Sequence, residues 1–343
     1  MRIGVLTGGG DCPGLNAAIR AVVRKSIDYE FDVLGIQNGW LGLLENQLYP
    51  MNLSSVSGIL PLGGTILSTS RTNPAKVPGG FEKIAAVIKE REIDAIVAIG
   101  GDDTLSVALE LNKRNIIPAV GAPKTMDNDV ALTDYCIGFD SAVSTVTEAL
   151  DKLHTTAHAH HRVMVVEVMG RDTGWVALYG GLAGGADWIM IPEVPSTIQE
   201  SCQHLIKRRE RGKDFSIIVV AEGVVLPDIP VEDAKDMDSF GHVRLDKRNV
   251  GHLIGLHIER ITGFETRVTV LGHLQRGGPP TVFDRILATR LGVEAVKLIK
   301  YKRYGEMAAF RNNEISAVKL EDALKNSPKK VPIELYQMAH LFY

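Results

Sequence analysis

Short apolar runs that end in glycine-rich or polar turns recur along the chain. Runs of this kind are typical of the buried strands of a parallel sheet. They lie at residues 2–6, 31–36, 93–99, 117–120, 163–168, 187–191, 216–221 and 268–271. Apolar residues recur at helical spacing between several of them, and also over residues 141–154 and 283–299. The alternation predicts an α/β fold, and its restart near residue 163 predicts a second α/β unit.

The segment from residue 93 to residue 129 carries most of the candidate chemistry. Polar side chains follow its two strands at the point where each strand ends, namely Asp102, Asp103, Lys124, Thr125, Asp127 and Asp129. Ligands of open α/β sheets sit at this edge. Carboxylates crowded there repel one another unless a cation or a titratable substrate proton separates them. The segment therefore predicts a magnesium site next to a proton transfer.

A glycine-rich turn follows the first strand. Residues 7–16 read Thr-Gly-Gly-Gly-Asp-Cys-Pro-Gly-Leu-Asn and lead into a helical pattern. Glycines let backbone amides approach an anion, and a helix N-terminus adds positive potential. The turn is thus a candidate phosphate loop, although it matches neither GxxxxGK[ST] nor GxGxxG. Arg71, in a later polar loop, is a further candidate for a phosphate contact.

Composition narrows the class of protein. A net charge of -3 and a pI of about 6.4 imply neither nucleic acid nor an acidic membrane as partner. Three widely spaced cysteines fit a reducing compartment. No apolar run approaches the length of a membrane span, and the chain begins with a strand pattern instead of a signal peptide. We therefore expect a soluble cytoplasmic protein.

Six motifs follow one another along the chain. They are Gly-Gly-Gly-Asp-Cys-Pro-Gly-Leu-Asn (8–16), Gly-Gly-Asp-Asp-Thr (100–104), Pro-Lys-Thr-Met-Asp-Asn-Asp (123–129), Met-Gly-Arg (169–171), Ala-Glu-Gly (221–223) and Leu-Gly-His-Leu-Gln-Arg-Gly-Gly (271–278). Taken in this order, they give the chain a resemblance to 6-phosphofructokinases of the bacterial type over nearly its full length. The resemblance implies two Rossmann-like αβα three-layer domains with the active site in the cleft between them. Residues 1–138 with about 252–304 would bind the phosphoryl donor. Residues of about 139–251 with 305–343 would bind fructose 6-phosphate.

The resemblance also implies a glycolytic, magnesium-dependent phosphotransferase and a role for each matching residue. Asp127 would take the proton from the sugar 1-hydroxyl, while Thr125, Lys124 and Arg171 would act on the transferred phosphoryl group. Donor binding would involve Gly9, Gly10, Arg71, Asp103, Thr104 and Lys124, and the metal would be held by Asp102 and Asp129. Sugar-phosphate binding would involve Thr125, Asp127, Asp129, Met169, Gly170, Arg171, Glu222, His273 and Arg276, with Arg162 and Arg267 reaching it from a neighbouring subunit of a homodimer or homotetramer.

The phosphoryl donor is the point at which the chain departs from the familiar ATP-dependent pattern. Asp103 stands where those enzymes have glycine, and its carboxylate would oppose the α-phosphate of ATP. Lys124 stands where they also have glycine, and its charge would suit a terminal phosphate of pyrophosphate. The pair resembles pyrophosphate-dependent members of the family and favours pyrophosphate. An ATP-dependent phosphofructokinase, a catalytically silent sugar-phosphate sensor, and a lipid or NAD kinase remain open as alternatives.

Overall fold

The computed structural model describes residues 1–229, 240, 245 and 248–343. The irregular segment expected at residues 224–250 thus lies mostly outside the described residues. The strands are β1 Arg2–Thr7, β2 Asp32–Ile36, β3 Leu48–Met51, β4 Ala95–Gly100, β5 Ala119–Pro123, β6 Val163–Val168, β7 Trp188–Met190, β8 Ser216–Ala221, β9 Thr266–Val270, β10 Glu306–Arg311 and β11 Glu314–Lys319. The helices are α1 Leu15–Asp28, α2 Trp40–Leu44, α3 Gly80–Arg91, α4 Asp102–Lys113, α5 Phe139–His160, α6 Trp175–Ala183, α7 Ile198–Glu210, α8 Val250–Thr262, α9 Val282–Lys300, α10 Leu320–Asn326 and α11 Ile333–Ala339. Short 3₁₀ turns span Pro74–Lys76, Gly272–Arg276 and His340–Phe342.

The described residues form two compact units. The first comprises Met1–Ser141 and Arg276–Pro328, and the second comprises 142–229, 248–275 and Lys329–Tyr343. This division differs from the one that the family resemblance implies, in which residues 252–304 join the first unit and residues 305–343 the second. Strand pairing explains both differences, because β9 pairs with β6 in the second unit, whereas β10 pairs with β5 in the first.

The first unit is built on a sheet with the strand order β11-β10-β5-β4-β1-β2-β3 among the described residues. The neighbours from β10 to β2 are parallel, while β3 and β11 are antiparallel edge strands. Because β1, β4 and β5 run in the same direction, the loops after them emerge at one edge of the sheet. These are the three loops that carry the glycine motif and the two carboxylate motifs.

Apolar side chains cover both faces of this sheet. On one face, Leu6, Ile96 and Ala98 pack with buried residues of α2, α3, α4 and α10 in one cluster. The side chains that alternate with them, Ile3 and Val97 among others, are also fully buried. Two covered faces explain why β4 reads as a continuous apolar run instead of an alternating one.

The second unit is built on a smaller sheet with the order β7-β8-β6-β9, in which neighbouring strands are parallel. Its strands deliver the Met-Gly-Arg motif after β6, Glu222 after β8 and the 3₁₀ turn at Gly272 after β9 to the same edge. The predicted α/β class with parallel sheets in two units is thereby confirmed. Among the described residues, none of the helices combines the length and the hydropathy that a bilayer crossing requires.

Candidate active site

The glycine-rich loop after β1 lies directly against the loop after β4. The Gly8 amide donates to the Ile99 carbonyl at 3.0 Å. A Cβ on Gly8 would lie 2.5 Å from Oγ1 of Thr104, so only glycine permits this approach. Thr104, a predicted donor-binding residue, is 2% exposed and lies underneath the loop. We infer that Thr104 shapes the loop from below.

The amide of Gly9 is engaged within the protein. It donates to the Ser70 carbonyl at 3.1 Å, and Thr69 Oγ1 donates to the Gly9 carbonyl at 2.7 Å. The sequence predicts instead that this amide faces a donor phosphate. The two contacts bring the segment that carries Arg71, which is exposed, beside the glycine loop.

Lys124 is buried beneath the same loop. Its Nζ donates to the carbonyl oxygens of Gly8 at 2.9 Å and Gly10 at 2.5 Å, and the residue is only 2% exposed. Burial is the main cause that lowers the pKa of this amine from its ordinary value. The family resemblance implies a lysine that contacts phosphate. The structure shows a lysine whose Nζ binds the backbone of the glycine loop.

Arg276 approaches the loop from its other side. Its Nη1 donates to the Asp11 carbonyl at 3.1 Å, and a Cβ on Gly10 would lie 2.6 Å from the same nitrogen. Arg276 and Lys124 therefore bring two cationic groups to the Gly8–Asp11 segment. The pKa of Lys124 is lowered further by this neighbouring guanidinium. Such a concentration of positive charge suits a polyanionic ligand.

The carboxylate loops after β4 and β5 are hydrogen-bonded neighbours. Gly100 pairs with Pro123 in the sheet, and the Lys124 amide donates to the Gly100 carbonyl at 3.0 Å. Asp102 and Asp103 form the first turn of α4, where the helix N-terminus favours negative charge. Both are partly exposed. Val107, further along α4, is 4% exposed and belongs to the hydrophobic core.

Asp127 is held in a local turn with Thr125. The Asp127 amide donates to Thr125 Oγ1 at 3.1 Å, and that hydroxyl lies 3.4 Å from Asp127 Oδ2. Asp127 is only 8% exposed, so its side chain is largely shielded from solvent. The next residue, Asn128, has a φ of 53° and uses its side chain to bind the Cys136 amide and the Asp134 carbonyl. These bonds of Asn128 thus stabilise the turn that contains Asp127.

The residues present fit a magnesium ion of the type that keeps most of its waters. The described residues contain no group of three or more His, Cys, Asp or Glu side chains arranged to hold a metal ion. Magnesium commonly takes only one or two protein carboxylates and completes its shell with water and substrate phosphates. Asp102 and Asp129 are partly exposed carboxylates on the two neighbouring loops, and hard oxygen donors of this kind meet that requirement.

In the second unit, Glu222 organises the loop that carries Arg171. Its Oε1 accepts from the amides of Gly170 at 3.3 Å and Arg171 at 3.0 Å. Arg171 has a φ of 55°, and its carbonyl oxygen would lie 2.0 Å from a Cβ on Gly223, which explains the glycine at that position. Nη2 of Arg171 is buried and has no hydrogen-bond partner among the described residues. A buried guanidinium nitrogen of this kind is suited to an anionic ligand.

The remaining predicted sugar-phosphate residues divide between the two ends of the second sheet. Met169 is partly exposed and directly follows β6, and His273 is exposed in the turn after β9. Arg162 and Arg267 lie instead at the N-terminal ends of these strands, where both bind Glu265, Arg162 at 2.8 Å. The contact with Arg162 is the main cause that lowers the pKa of Glu265. A strand as long as β6 separates the two groups by roughly 20 Å at about 3.3 Å per residue.

Two buried residues that are not among the predicted site residues form several hydrogen bonds to the backbone of other segments. Asn16 binds the carbonyls of Leu62 and Gly63 and the Ile66 amide, and it is 2% exposed. Asp284 is fully buried and accepts from the Gly138 and Ser141 amides. Asn16 stands in the glycine motif, which singled it out, whereas no local pattern marks Asp284. Its partners lie more than 140 residues away in sequence.

Comparison with known proteins agrees with the fold and shows the family. A family model described as "Phosphofructokinase" matches residues 2–299. A pyrophosphate–fructose 6-phosphate 1-phosphotransferase from Amycolatopsis mediterranei is 51% identical over 100% of both chains. An ATP-dependent 6-phosphofructokinase 3 from Streptomyces coelicolor is 46% identical over 99% of both chains. The structure of a pyrophosphate-dependent phosphofructokinase from Nitrosospira multiformis shares the fold with a TM-score of 0.84, at 20% identity over 96% of this chain and 86% of that one. The chain therefore belongs to the phosphofructokinase family.

Proposed function

We propose that the protein transfers a phosphoryl group from pyrophosphate to the 1-hydroxyl of fructose 6-phosphate, giving fructose 1,6-bisphosphate. The observation that carries the proposal is the junction of the loops after β1, β4 and β5, where Lys124 fastens the glycine loop next to two carboxylate motifs. Catalysis of phosphoryl transfer mainly requires that the protein position the reactants, neutralise charge on the phosphates and supply a base for the attacking hydroxyl. Magnesium held by Asp102 and Asp129 would supply charge neutralisation on the donor phosphates.

Asp127 is the base in this proposal. A base must lie within hydrogen-bond reach of the proton that it removes, and a carboxylate fixed by a turn meets that requirement better than one on a mobile side chain. Thr125 Oγ1 accepts from the Asp127 amide and also lies beside the Asp127 carboxylate. Asp127 would thus accept the proton of the sugar hydroxyl, while Thr125 contacts the transferred phosphoryl group. Arg171 would neutralise charge on that group through its guanidinium, whose Nη2 is buried.

Asp103 supports pyrophosphate as the donor. It occupies the first turn of α4 next to Asp102, so its carboxylate stays at the sheet edge where a donor would lie. An unscreened repulsion of about 1.4 kcal/mol against the α-phosphate of ATP already corresponds to roughly tenfold weaker binding. Pyrophosphate has no α-phosphate or nucleoside to meet this charge. Because its transfer potential is close to that of the product, the reaction would run readily in both directions.

Arg162 and Arg267 would serve a second copy of the chain. They lie at the opposite end of the sheet from Met169 and Arg171, so one site within the chain cannot use both groups. Arginine binds phosphate with a planar, bidentate fork and suits the 6-phosphate of the sugar. We propose a homodimer or homotetramer in which each subunit lends these two arginines to its neighbour.

Initial rates test the donor assignment. The purified protein is given fructose 6-phosphate and magnesium with either pyrophosphate or ATP, and product is measured by a coupled aldolase assay. We expect pyrophosphate to be used far better, and we expect Asp103→Gly to raise the ratio of ATP to pyrophosphate use at least tenfold. Glu110→Gln serves as the matched control, since it removes a partly exposed carboxylate from the same helix, away from its first turn. A wild-type preference for ATP would overturn the assignment.

ATP is the second candidate donor. A relative that is 46% identical over nearly the whole chain carries the name ATP-dependent 6-phosphofructokinase 3. The same assay decides between the two, because only the donor differs. A protein that is inactive with both donors but still binds fructose 6-phosphate would instead be a sugar-phosphate sensor.

A further inference from the structure

We infer that Glu193 and the C-terminal segment at residues 329–331 form a positioning device for Arg171. The inference rests on the proposed role of Arg171 in phosphoryl transfer. Arg171 lies in the loop between β6 and α6, and Glu222 accepts from two amides in the first part of this loop. The last part is held by groups that come from two distant regions of the chain.

Glu193 joins the end of the loop to the C-terminal segment through one carboxylate oxygen. Its Oε1 accepts from the Gly174 amide at 3.0 Å and from the Val331 amide at 3.1 Å. Its Oε2 is buried and has no hydrogen-bond partner among the described residues. A charged acceptor forms stronger bonds than a neutral one, and burial increases the effect. Removal of this carboxylate would leave two amides without their acceptor.

Two further bonds attach the same segment to the loop. Trp175 Nε1 donates to the Lys329 carbonyl at 2.8 Å, and Lys330 Nζ donates to the Asp172 carbonyl at 2.5 Å. The Lys329 ammonium also lies 4.9 Å from the centre of the Trp175 ring. Glu193 and the C-terminal segment thus contact Asp172, Gly174 and Trp175, which follow Arg171 in the sequence. The segment therefore braces the loop along its length.

The loop needs this bracing because its conformation is unusual. Arg171 has a φ of 55°, in the left-handed region that residues other than glycine adopt only at a cost in free energy. Inside the loop, Thr173 Oγ1 and the Thr173 amide both bind the Gly170 carbonyl. Glu222 fixes the amides before this turn and Glu193 fixes the amide after it, so the two carboxylates hold its ends. Without the bond from the Gly174 amide to Glu193, Arg171 could relax toward an ordinary φ, and its guanidinium would move.

Glu193→Ala tests the inference in combination with Arg171→Lys. We expect Glu193→Ala to lower kcat about tenfold or more, because small misplacements of catalytic groups have effects of this size, while KM for fructose 6-phosphate changes little. Glu193→Gln keeps an acceptor oxygen and should lose less. In the Arg171→Lys background, Glu193→Ala should cause no further loss of kcat. Glu210→Gln, an exposed carboxylate at the end of α7, is the matched control.

Hydrogen exchange gives a readout that does not depend on activity. In Glu193→Ala, the peptide that covers residues 170–175 should exchange faster than in the wild type. Trp175→Phe keeps an aromatic side chain but removes the Nε1 donor to the Lys329 carbonyl, and it should produce the same two effects if Glu193→Ala does not fold. Equal losses of kcat in both backgrounds, or unchanged exchange, would overturn the inference. Full activity of Arg171→Lys alone would instead overturn the proposed role of Arg171.

Discussion

At the scale of single residues, Lys124 should matter for turnover because it holds the glycine loop. We expect Lys124→Met to lower kcat/KM for the donor at least tenfold, since the carbonyls of Gly8 and Gly10 lose their shared donor and the loop changes shape. Initial rates at varied pyrophosphate measure the effect. Lys113→Met, which removes an exposed lysine paired with Glu321, is the control and should be near wild type. A Lys124→Met protein with unchanged kcat/KM would show that the loop does not need this lysine.

The candidate site could be predicted from the sequence where polar residues directly follow a strand. Asp102, Asp127 and Arg171 each follow a buried apolar run within a few positions, so their placement at a sheet edge followed from the pattern. The bonds of Lys124 to two glycine carbonyls could not be predicted. They join residues 116 and 114 positions apart, and sequence spacing carries no signal for such contacts.

Asp284 should make stability depend on pH. Burial raises the pKa of this carboxyl to about 6 from an ordinary value of 3.8. The folded protein therefore binds the proton more tightly than the unfolded chain does, and this stabilisation is present below pH 3.8 and is lost as the pH rises through about 6.

The corresponding measurement is the difference in Tm between the wild type and Asp284→Asn. Asparagine cannot titrate, so the variant lacks this pH dependence. The Tm of the wild type minus the Tm of Asp284→Asn should therefore be larger at pH 5 than at pH 7.5. Asp151→Asn, at an exposed position on α5, should show the same Tm difference at both pH values. A Tm difference between the wild type and Asp284→Asn that is the same at both pH values would contradict the raised pKa of Asp284.

At the scale of elements, buried parallel strands were predicted best. The bounds of β6 and β8 match the prediction, and β1, β2, β4, β5, β7 and β9 match within a few residues. The β10–β11 hairpin was missed because β11 is only partly buried and lacks a clear alternation. Its turn residues Asn312 and Asn313 have positive φ, and an Asn-Asn pair between two short apolar runs was the available signal.

The edge strand β7 is closed by two tyrosines of the C-terminal region. Tyr336 donates its hydroxyl to the Ile189 carbonyl at 3.0 Å, and the Ile189 amide donates to the Tyr343 hydroxyl at 3.2 Å. Together they take the place of a neighbouring strand for this residue. Unpaired edge strands promote association between sheets, so the two hydroxyls also limit that risk.

Tyr336→Phe should therefore lower stability. Tyr336 is 4% exposed. Removal of its hydroxyl leaves the Ile189 carbonyl without this donor, which should lower the free energy of unfolding by about 1–3 kcal/mol. Denaturant unfolding followed by fluorescence measures the change. Tyr301→Phe removes a hydroxyl from a side chain that is 69% exposed and should change stability by less than about 0.5 kcal/mol. Equal effects of the two substitutions would show that the hydroxyl does not close the strand.

At the scale of the whole molecule, two α/β units were predicted, but the division of the chain between them was not. The placement of β9, β10 and β11 is decided by strand pairing between distant segments, which periodicity cannot show. Periodicity also cannot show whether the chain forms an oligomer. The positions of Arg162 and Arg267 at the far end of the second sheet are the structural reason to expect a neighbouring subunit.

Mixed oligomers test that expectation. Asp127→Asn and Arg162→Ala should each be nearly inactive as pure proteins. If a site takes Asp127 from one subunit and Arg162 from another, oligomers that contain both variants should regain activity, since some sites then hold both native residues. Native mass spectrometry confirms that mixing has occurred. Mixed oligomers without recovered activity would contradict the shared site.

The most direct measurement is the rate at which the wild type and Asp127→Asn form fructose 1,6-bisphosphate from pyrophosphate, fructose 6-phosphate and magnesium. Asp127 lies in a fixed turn next to Thr125 and is the group expected to remove the sugar proton. We expect rapid formation by the wild type and a loss of about 10²–10⁴-fold in kcat for Asp127→Asn, with stability preserved. Undiminished turnover by Asp127→Asn, or no product from the wild type, would contradict the proposed function.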